Sequence, residues 1–317
     1  MTAHSDETMH VWRYAEGRTV EAGTAPVPTP GADEVAVAPS AWGLNNGDLR
    51  AEPGGIAGFE FAGTISAVGE GVDPALVGTR VMGLTGGAFA DVVVAHRRHV
   101  VAIPEGLTDE AAASLTTAVM TEQGALNAAD VKEGDTVLIT GATSGIGLMG
   151  IRLAKLRGAA LVIATTRSEE RKGILLDAGA DLAVAGDYVD QVLEATGGEG
   201  VDIVLDHVGG EALGRAVDAA RSGGLVLSVG RLAGDEGVVN LMTLARRHVT
   251  LRSVSYGFSD PEIIGEILDT LSDRVLPAFA DGTLTPAIDS VHSFADAPGA
   301  FARLASGDGA GKVVLTR

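Results

Sequence analysis

The distribution of apolar residues divides the chain into three regions. From residue 9 to about residue 118, short apolar segments alternate with glycine-containing turns, which predicts a β-rich region. From about residue 119, apolar runs alternate with helix-length segments, and after about residue 257 short strands return. The strands expected in the first region include Glu34–Ala38, Phe61–Val68 and Ala88–Ala95.

The middle region predicts a parallel sheet. Its apolar runs are separated by helical segments, a pattern typical of a doubly wound α/β sheet with two nucleotide-binding halves. The expected strands are Val137–Thr140, Leu161–Thr165, Asp181–Ala185, Val201–Asp206, Gly224–Val229 and Val249–Val254.

The final region predicts a return to the first domain, because β-rich character returns there and the region closes with a short strand. Its expected elements are a helix at Pro261–Leu271, a strand at Leu284–Ile288, a helix at Asp296–Leu304 and a strand at Gly311–Leu315. We therefore expect a substrate domain of residues 1–118, a nucleotide-binding domain of residues 119–256 and a return to the substrate domain in residues 257–317. The polar residues 1–8 are expected to be disordered and carry no signal-peptide core.

A glycine-rich turn joins the first strand of the middle region to the helix that follows it. Glycines there allow a tight turn and a close approach of the backbone to a ligand, and the helix that begins near Ser144 directs its amide groups toward the turn. This geometry holds a pyrophosphate without a cationic side chain. The residues predicted to contact a dinucleotide are Gly141, Ala142, Thr143, Ser144, Gly145, Ile146 and Gly147.

Charge and composition exclude several classes of partner and of chemical site for this protein. A formal net charge of −19 disfavours nucleic acid as a partner, because a polyphosphate would be repelled. The chain has no cysteine, which excludes disulfides, thiol nucleophiles and thiolate zinc sites. No apolar stretch approaches the roughly 20 residues that span a bilayer. We therefore predict a cytoplasmic protein with a small-molecule substrate and no membrane partner.

The end of the second strand indicates which dinucleotide is bound. An NAD site usually has an acidic residue there, about 20 residues after the glycines, to bind the ribose hydroxyls. Here Thr166, Arg167 and Ser168 occupy that place and Arg171 follows, so the site can surround a 2′-phosphate. The sequence therefore predicts NADPH, with an ordinary solvated helix start as the alternative.

Several phrases, taken in order, resemble the medium-chain dehydrogenase/reductase superfamily, specifically its zinc-free quinone oxidoreductase and enoyl reductase branch. The resemblance covers nearly the whole chain and implies a doubly wound Rossmann sheet together with a discontinuous, β-rich GroES-like domain. The phrases are residues 44–48, 58–63, 68–72 and 78–83, the glycine-rich turn and residues 311–315.

The resemblance also bears on metal chemistry. The zinc-dependent branch has a histidine where this chain has Phe59, and its metal-binding cysteines are absent. His96 and His99 are interpreted as residues of a solvated strand end or a turn, and not as metal ligands. We therefore predict no catalytic metal. The resemblance implies NADPH-dependent reduction of a C=C bond conjugated to a carbonyl, in an enone, enoyl thioester or quinone, with a place in secondary metabolism.

Site residues follow from the same resemblance. Asn45 and Asp48 match an Asn-x-x-Asp phrase and are expected to position substrate or nicotinamide. For Gly209 and Gly230, the alternative interpretation is that each is only a glycine of a buried turn. The further residues expected at the cofactor are Asn45, Thr121, Val208, Gly209, Val229, Gly230, Ser255, Tyr256, Phe258 and Lys312.

Two departures from the branch leave the proton donor open. Related reductases often have a tyrosine shortly after the Asn-x-x-Asp phrase, and this chain has none there. They also often have aromatic residues after Thr121, where this chain has Glu122-Gln123-Gly124. Solvent, Glu122 or Arg50 could supply the proton, and we expect Glu122 and Arg50 to be surface residues.

Parts of the sequence also resemble proteins with other functions. The glycine turn also matches the short-chain dehydrogenase fingerprint, but none of the three tyrosines has a lysine four positions later, so that family is rejected. A same-fold cyclase or isomerase without net redox change and a non-catalytic nucleotide-binding protein stay open. Val249–Val254 is expected to be an edge strand through which a homodimer forms.

Overall fold

The computed structural model of the chain describes residues 7–256 and 261–317. The chain divides into two compact units, one of Met1–Thr117 with Asp260–Arg317 and the other of Ala118–Ser259. The first unit is rich in antiparallel strands, and the second alternates strands with helices around one parallel sheet. The predicted fold class is thereby confirmed.

The first unit contains a two-stranded sheet, β1-β2, and a seven-stranded sheet. In the latter the order is β14-β15-β3-β4-β5-β7, and β6 also pairs with β3. The strands are β1 Thr8–Ala15, β2 Thr19–Pro26, β3 Glu34–Gly43, β4 Glu60–Val68, β5 Arg80–Leu84, β6 Val93–His96, β7 Val100–Ala102, β14 Ile288–Ser293 and β15 Lys312–Thr316. The helices are α1 Asp109–Ala113, α8 Pro261–Asp269, α9 Val275–Ala280 and α10 Ala297–Ser306.

The long strand β3 organises this unit. It pairs antiparallel with β4 along most of its length and with β15 at its end, where Trp42 is opposite both Phe61 and Leu315. Alternate side chains of these strands point into a core that also contains Phe89 and Phe301. The last strand of the chain therefore completes a sheet that begins near residue 34.

Two strand predictions in this unit were wrong in their limits. Leu284–Ile288 was expected to be a strand, but β14 begins only at Ile288. Pro286 lacks the N–H that a strand interior needs, and the N–H of Leu284 donates instead to Ala278 at the end of α9, over 2.8 Å. Of Ala88–Ala95 only Val93 onward is strand, because the N–H of Phe89 donates to the carbonyl oxygen of Ala57 over 2.7 Å.

The second unit is built on six parallel strands in the order β10-β9-β8-β11-β12-β13. The chain runs outward from β8 to β10, then returns beside β8 and runs outward in the other direction. The strand order therefore reverses between β8 and β11, and ligands bind at such a point in open α/β sheets. The strands are β8 Thr136–Ile139, β9 Leu161–Thr166, β10 Leu182–Ala185, β11 Val201–Asp206, β12 Ala220–Ser228 and β13 Thr250–Ser253. The helices are α2 Thr116–Ala128, α3 Gly145–Leu156, α4 Lys172–Asp177, α5 Val189–Ala195, α6 Ala212–Ala219 and α7 Leu241–Arg247.

Candidate functional site

The glycine-rich turn is closed by Ser144, which caps the N-terminus of α3. Its Oγ accepts a hydrogen bond from the N–H of Gly147 and donates one to the carbonyl oxygen of Gly141, each over 3.1 Å. Gly141 has φ of +59°, a conformation that favours glycine. The serine thus fixes the turn and the helix start together, which leaves the first amide groups of the helix directed at the space above β8.

Two glycines of this turn are packed so closely that a side chain would not fit at either position without moving a neighbour. A Cβ on Gly147 would lie 2.6 Å from the Cα of Ala142, and one on Gly141 would lie 3.1 Å from a methyl of Val208. The turn is therefore packed closely against its own strand and against the loop after β11. Such a cradle of backbone amides fits the pyrophosphate of a dinucleotide.

Asp206, at the end of β11, ties the neighbouring loops to this turn. Its carboxylate accepts hydrogen bonds from Thr140 Oγ1 over 2.6 Å and from the N–H groups of Val208 and Gly209, each over 3.1 Å. Its carbonyl oxygen accepts from the N–H groups of Val229 over 2.8 Å and Gly230 over 3.0 Å. The structure thus gathers the predicted residues after β11 and β12 around one buried carboxylate.

The end of β9 carries no acidic side chain. The strand ends at Thr166, and the exposed Arg167 follows directly. The first carboxylate, Glu169, lies on the short 3-10 helix that ends at Arg171 and forms an ion pair with Lys172 over 2.8 Å. The two arginines therefore flank a short segment at the carboxyl end of the sheet, where the sequence places a 2′-phosphate.

Asn45 and Lys312 meet in the first unit around a buried carboxylate. Lys312 Nζ donates to Asn45 Oδ1 over 2.6 Å and forms an ion pair with Glu60. Glu60, which is fully buried, also accepts from Asn45 Nδ2 over 3.0 Å and from the N–H of Thr117 over 2.7 Å. The amide of Asn45 is thus fixed at both of its polar atoms.

Asp48 is joined to a tyrosine that the sequence analysis did not assign to the site. Tyr14 Oη donates to Asp48 Oδ1 over 2.6 Å and accepts from the N–H of Gly58 over 3.0 Å. Asp48 Oδ2 accepts from the N–H of Asn45 over 2.7 Å. Burial raises the pKa of Asp48 to about 6, against the opposing effect of these donors and of Lys312. Burial and the adjacent carboxylate raise the pKa of the Tyr14 hydroxyl as well.

Sequence reasoning missed Glu60 and Tyr14 for different reasons. Glu60 had a usable signal, because it is a carboxylate directly before the apolar strand segment that starts at Phe61. A charge at such a position is seldom buried without a partner. Tyr14 had none, since nothing local links a tyrosine of β1 to the Asn-x-x-Asp phrase.

Glu122 corrects an expectation. It was predicted to be a surface residue of a helix, but it lies within α2 and is fully buried, with Oε1 2.5 Å from Nε2 of His207. Nearly all residues from 118 to 126 are buried, so this part of α2 offers no solvent-facing position to Glu122. Arg50, by contrast, is exposed at the end of a 3-10 helix.

The remaining predicted residues lie at the limits of elements in the second unit. Thr121 is in α2, one position before Glu122. Ser255 and Tyr256 follow β13, and burial raises the pKa of the Tyr256 hydroxyl, with Arg252 opposing and Glu122 adding to the shift. Phe258 falls outside the described residues.

Neither a metal-binding cluster nor a membrane-spanning helix is found within residues 7–256 and 261–317. No group of three or more His, Asp or Glu side chains there could hold a metal ion. His96 instead caps the short helix Arg97–His99 by accepting from the N–H of Arg98. No helix in the same ranges is long and apolar enough to cross a bilayer.

Comparison with known proteins agrees with this geometry. Residues 31–105 match the family described as alcohol dehydrogenase GroES-like domain, and residues 145–273 match the family described as zinc-binding dehydrogenase. Within the described part of the chain no group of side chains provides the donor set of a zinc site, although the second family's description refers to zinc.

Similar proteins include a polyketide synthase and solved oxidoreductase structures. A component of the pikromycin polyketide synthase of Streptomyces venezuelae is 32% identical over 305 residues, which are 92% of this chain but 8% of that protein. The chain therefore spans about a twelfth of that relative's length.

Two solved structures match over almost the whole chain. A mycobacterial protein complexed with NADPH is 28% identical, with a TM-score of 0.85 over 98% of this chain and 100% of the other. A quinone oxidoreductase of Pseudomonas syringae pv. Tomato is 27% identical, with a TM-score of 0.86 and the same coverage. The chain belongs to the medium-chain dehydrogenase/reductase superfamily, in its zinc-free quinone oxidoreductase and enoyl reductase branch.

Proposed function

We propose that this oxidoreductase uses NADPH to reduce a C=C bond conjugated to a carbonyl, without a metal. The observation that carries the proposal is the glycine cradle between β8 and α3, combined with a β9 that ends at Thr166 and is followed by Arg167 rather than by an acidic residue. The NADPH complex of the mycobacterial protein, which is 28% identical, supports the choice of cofactor. We further propose a homodimer that acts in the cytoplasm on a small molecule.

The residues of the first unit suit a reaction that develops negative charge on an oxygen. NADPH held by the glycine cradle would supply a hydride for the carbon β to the carbonyl, so that negative charge would develop on the carbonyl oxygen. Lys312 and the amide of Asn45 are donors held in place by Glu60, and preorganised donors stabilise such charge. Asn45→Ala should therefore lower kcat/KM about 10- to 100-fold, or about 1.4–2.8 kcal/mol in the barrier.

The carboxylate of Glu60 is not available to a metal. It is already engaged by Lys312, Asn45 Nδ2 and the N–H of Thr117. We therefore expect the protein to keep its full activity after exhaustive treatment with a metal chelator. Activity that a chelator abolishes and zinc restores would contradict the metal-free reaction.

Isotope transfer tests the reaction itself. The protein is incubated with NADPH deuterated at its transferable position and a panel of enones, enoyl thioesters and quinones. Deuterium at the β-carbon of an enone or enoyl thioester product supports the proposal. Tyr14, the tyrosine at Asp48, already donates its only hydroxyl hydrogen to the carboxylate of Asp48. We therefore expect the α-proton to come from solvent.

Other outcomes identify the competing functions. Deuterium at the carbonyl carbon would make the protein a carbonyl reductase. Product formation without consumption of NADPH would favour a cyclase or isomerase, and NADPH binding without any product across the panel would favour a non-catalytic protein.

A further inference from the structure

Glu122 and His207 form a buried pair directly below the point where the strand order reverses. We propose that Glu122 is a positioning residue for the dinucleotide, which acts through His207 and a proton that the two side chains share. This inference rests on the proposed binding of NADPH. It adds to that function a residue and a pH dependence that the predicted cofactor contacts do not contain.

The contacts of His207 link two strands and a helix. Its Nε2 is 2.5 Å from Glu122 Oε1 on α2, and its Nδ1 is 3.1 Å from the carbonyl oxygen of Thr140 at the end of β8. Its own N–H donates to Thr140 Oγ1 over 3.0 Å. Both side chains of the pair are almost completely buried, so water does not compete for these bonds.

The same contacts determine how many protons the pair holds. A carbonyl oxygen only accepts, so Nδ1 of His207 must carry a hydrogen to bond with Thr140. If the imidazole is neutral, its Nε2 is then bare and can bond with Glu122 only when the carboxyl is protonated. If the carboxyl is ionised, the imidazole must be charged. In both cases the pair carries one proton more than a carboxylate and a neutral imidazole.

Loss of that proton breaks one of the two hydrogen bonds. A bare Nε2 and a carboxylate would face each other as two acceptors, while the other tautomer would turn a bare Nδ1 toward Thr140. Only the protonated pair therefore holds the imidazole of His207 to both Glu122 on α2 and the carbonyl oxygen of Thr140 at the end of β8.

His207 packs directly against the glycines that form the dinucleotide cradle and the loop after β12. A Cβ on Gly230 would lie 2.4 Å from the carbonyl oxygen of His207, and one on Gly141 would lie 3.7 Å from the Cβ of His207. The loops after β8, β11 and β12 thus pack around this one residue. A displacement of His207 must move the backbone that is proposed to receive the dinucleotide.

The second oxygen of Glu122 shows that the surroundings are fitted to this side chain. Oε2 is buried and makes no hydrogen bond within the described part of the chain. A Cβ at Gly150 of α3 would lie only 2.6 Å from it. Glycine at this position is what allows a glutamate to reach His207.

The charges around the pair favour retention of the proton. Burial acts to lower the pKa of His207, but Glu122 from α2 and Asp206 from β11 outweigh it and raise that pKa above its ordinary value of 6.5. Tyr256, which follows β13, interacts with Glu122 and lies near Arg252. Because the folded-state pKa is raised, the contribution of the pair is complete below about pH 6.5 and is lost as the pH rises through the folded-state value.

The test compares the dissociation constant of NADPH at pH 7 and pH 10 in three proteins. The 2′-phosphate changes little over this range, since with a second pKa of about 6 it is already about nine-tenths ionised at pH 7. In the wild-type protein, and in Glu194→Gln as a matched control on the exposed face of α5, we expect Kd to rise at least fivefold. In Glu122→Gln the amide can donate to a bare Nε2 without a shared proton, so the rise should be less than twofold.

Calorimetry and NMR test the shared proton without a measurement of enzyme activity. At a pH near the apparent pKa of the pair, wild-type binding should take up a fraction of a proton that Glu122→Gln does not. The ¹⁵N signals of His207 should titrate above pH 6.5 in the wild type and at a lower pH in the variant. Equal pH profiles in all three proteins, or a His207 that titrates at its ordinary pKa, would overturn the inference. A wild-type protein that shows the titration but binds no NADPH would refute only the proposed function.

Discussion

At the scale of single residues, the buried pair of Glu60 and Lys312 has the largest predicted effect on stability. Both side chains are almost fully buried, and Glu60 depends on Lys312 to balance its charge. Removal of one partner of a buried pair costs about 3–5 kcal/mol, because the other charge stays buried without compensation. We therefore expect Lys312→Met to lower the free energy of unfolding by this amount, as measured by urea denaturation.

Controls separate the ion pair from the loss of a lysine. Lys155 pairs with Asp181 at the surface over 2.9 Å, where both side chains are more than one third exposed, so Lys155→Met should cost less than about 1 kcal/mol. The double variant Glu60→Gln with Lys312→Met should recover part of the loss. Equal costs for the two single variants would contradict this account.

The contact of Tyr14 with Asp48 gives a prediction that depends on pH. Burial raises the pKa of Asp48 to about 6, above the unfolded value of about 3.9, so ionisation of Asp48 costs stability as the pH rises from about 4 to about 6. The Tyr14 hydroxyl offsets this cost by donating to the carboxylate. Tyr14→Phe should therefore lose about 1–3 kcal/mol at pH 7 and less at pH 5. Denaturation at the two pH values checks the difference, and an equal loss at both would argue against it.

Prediction from sequence was limited at this scale by the distance along the chain between residues in contact. Asn45 and Asp48 stand in one short phrase, and the structure places both in a buried hydrogen-bonded network. Glu60 and Lys312 are 252 positions apart, and Glu122 and His207 are 85 apart. No local pattern relates such residues, so the sequence indicated neither pair and left Glu122 wrongly at the surface.

At the scale of elements, segments with local signals were predicted best. Val201–Asp206 was expected as a strand and is β11, and Ser144, expected at the start of a helix, is the N-cap of α3. Each of these elements is determined by an apolar run or a capping residue that lies within the element or directly beside it. The start of β14 was misplaced, because this strand is fixed by parallel pairing with β15, more than 20 residues later.

The N-cap of α3 offers a test of the glycine-rich turn. Ser144→Ala removes the hydrogen bonds to the N–H of Gly147 and the carbonyl oxygen of Gly141. We expect a loss of about 0.5–2 kcal/mol of stability, the usual cost of a lost cap. NADPH binding should weaken as well, by isothermal titration calorimetry. Ser144→Thr keeps a capping hydroxyl and should retain most of both.

The segment after β9 should determine the choice of dinucleotide. We expect NADPH to bind at least tenfold more tightly than NADH, about 1.4 kcal/mol or more, because Arg167 and Arg171 can pair with the 2′-phosphate. The double variant Arg167→Ala with Arg171→Ala should lose most of this preference and leave NADH affinity nearly unchanged. Equal affinities in the wild type would refute the cofactor assignment.

At the scale of the whole molecule, β13 supports the proposal of a homodimer. It lies at the edge of the parallel sheet, all four of its residues are exposed, and Leu251 is 40% accessible. The unpaired N–H and C=O groups of a strand edge can pair with the same edge of another chain. Leu251→Lys should convert a dimer to a monomer in sedimentation velocity at micromolar concentration. Val291→Lys provides a control on β14, an edge strand of the seven-stranded sheet in the first unit, and should not change the mass.

The pairing of β15 with β3 also has a consequence for synthesis of the chain on the ribosome. Trp42 cannot acquire its neighbour Leu315 until about 270 further residues have been translated, roughly 15 to 50 s at about 5–20 residues per second. The contiguous segment Ala118–Ser259 has no such delay and can fold while the ribosome is still at work. During that interval the end of β3 is an open strand edge next to large apolar side chains. We therefore expect the newly made first unit to be the part of this protein that is most exposed to aggregation or chaperone binding during synthesis.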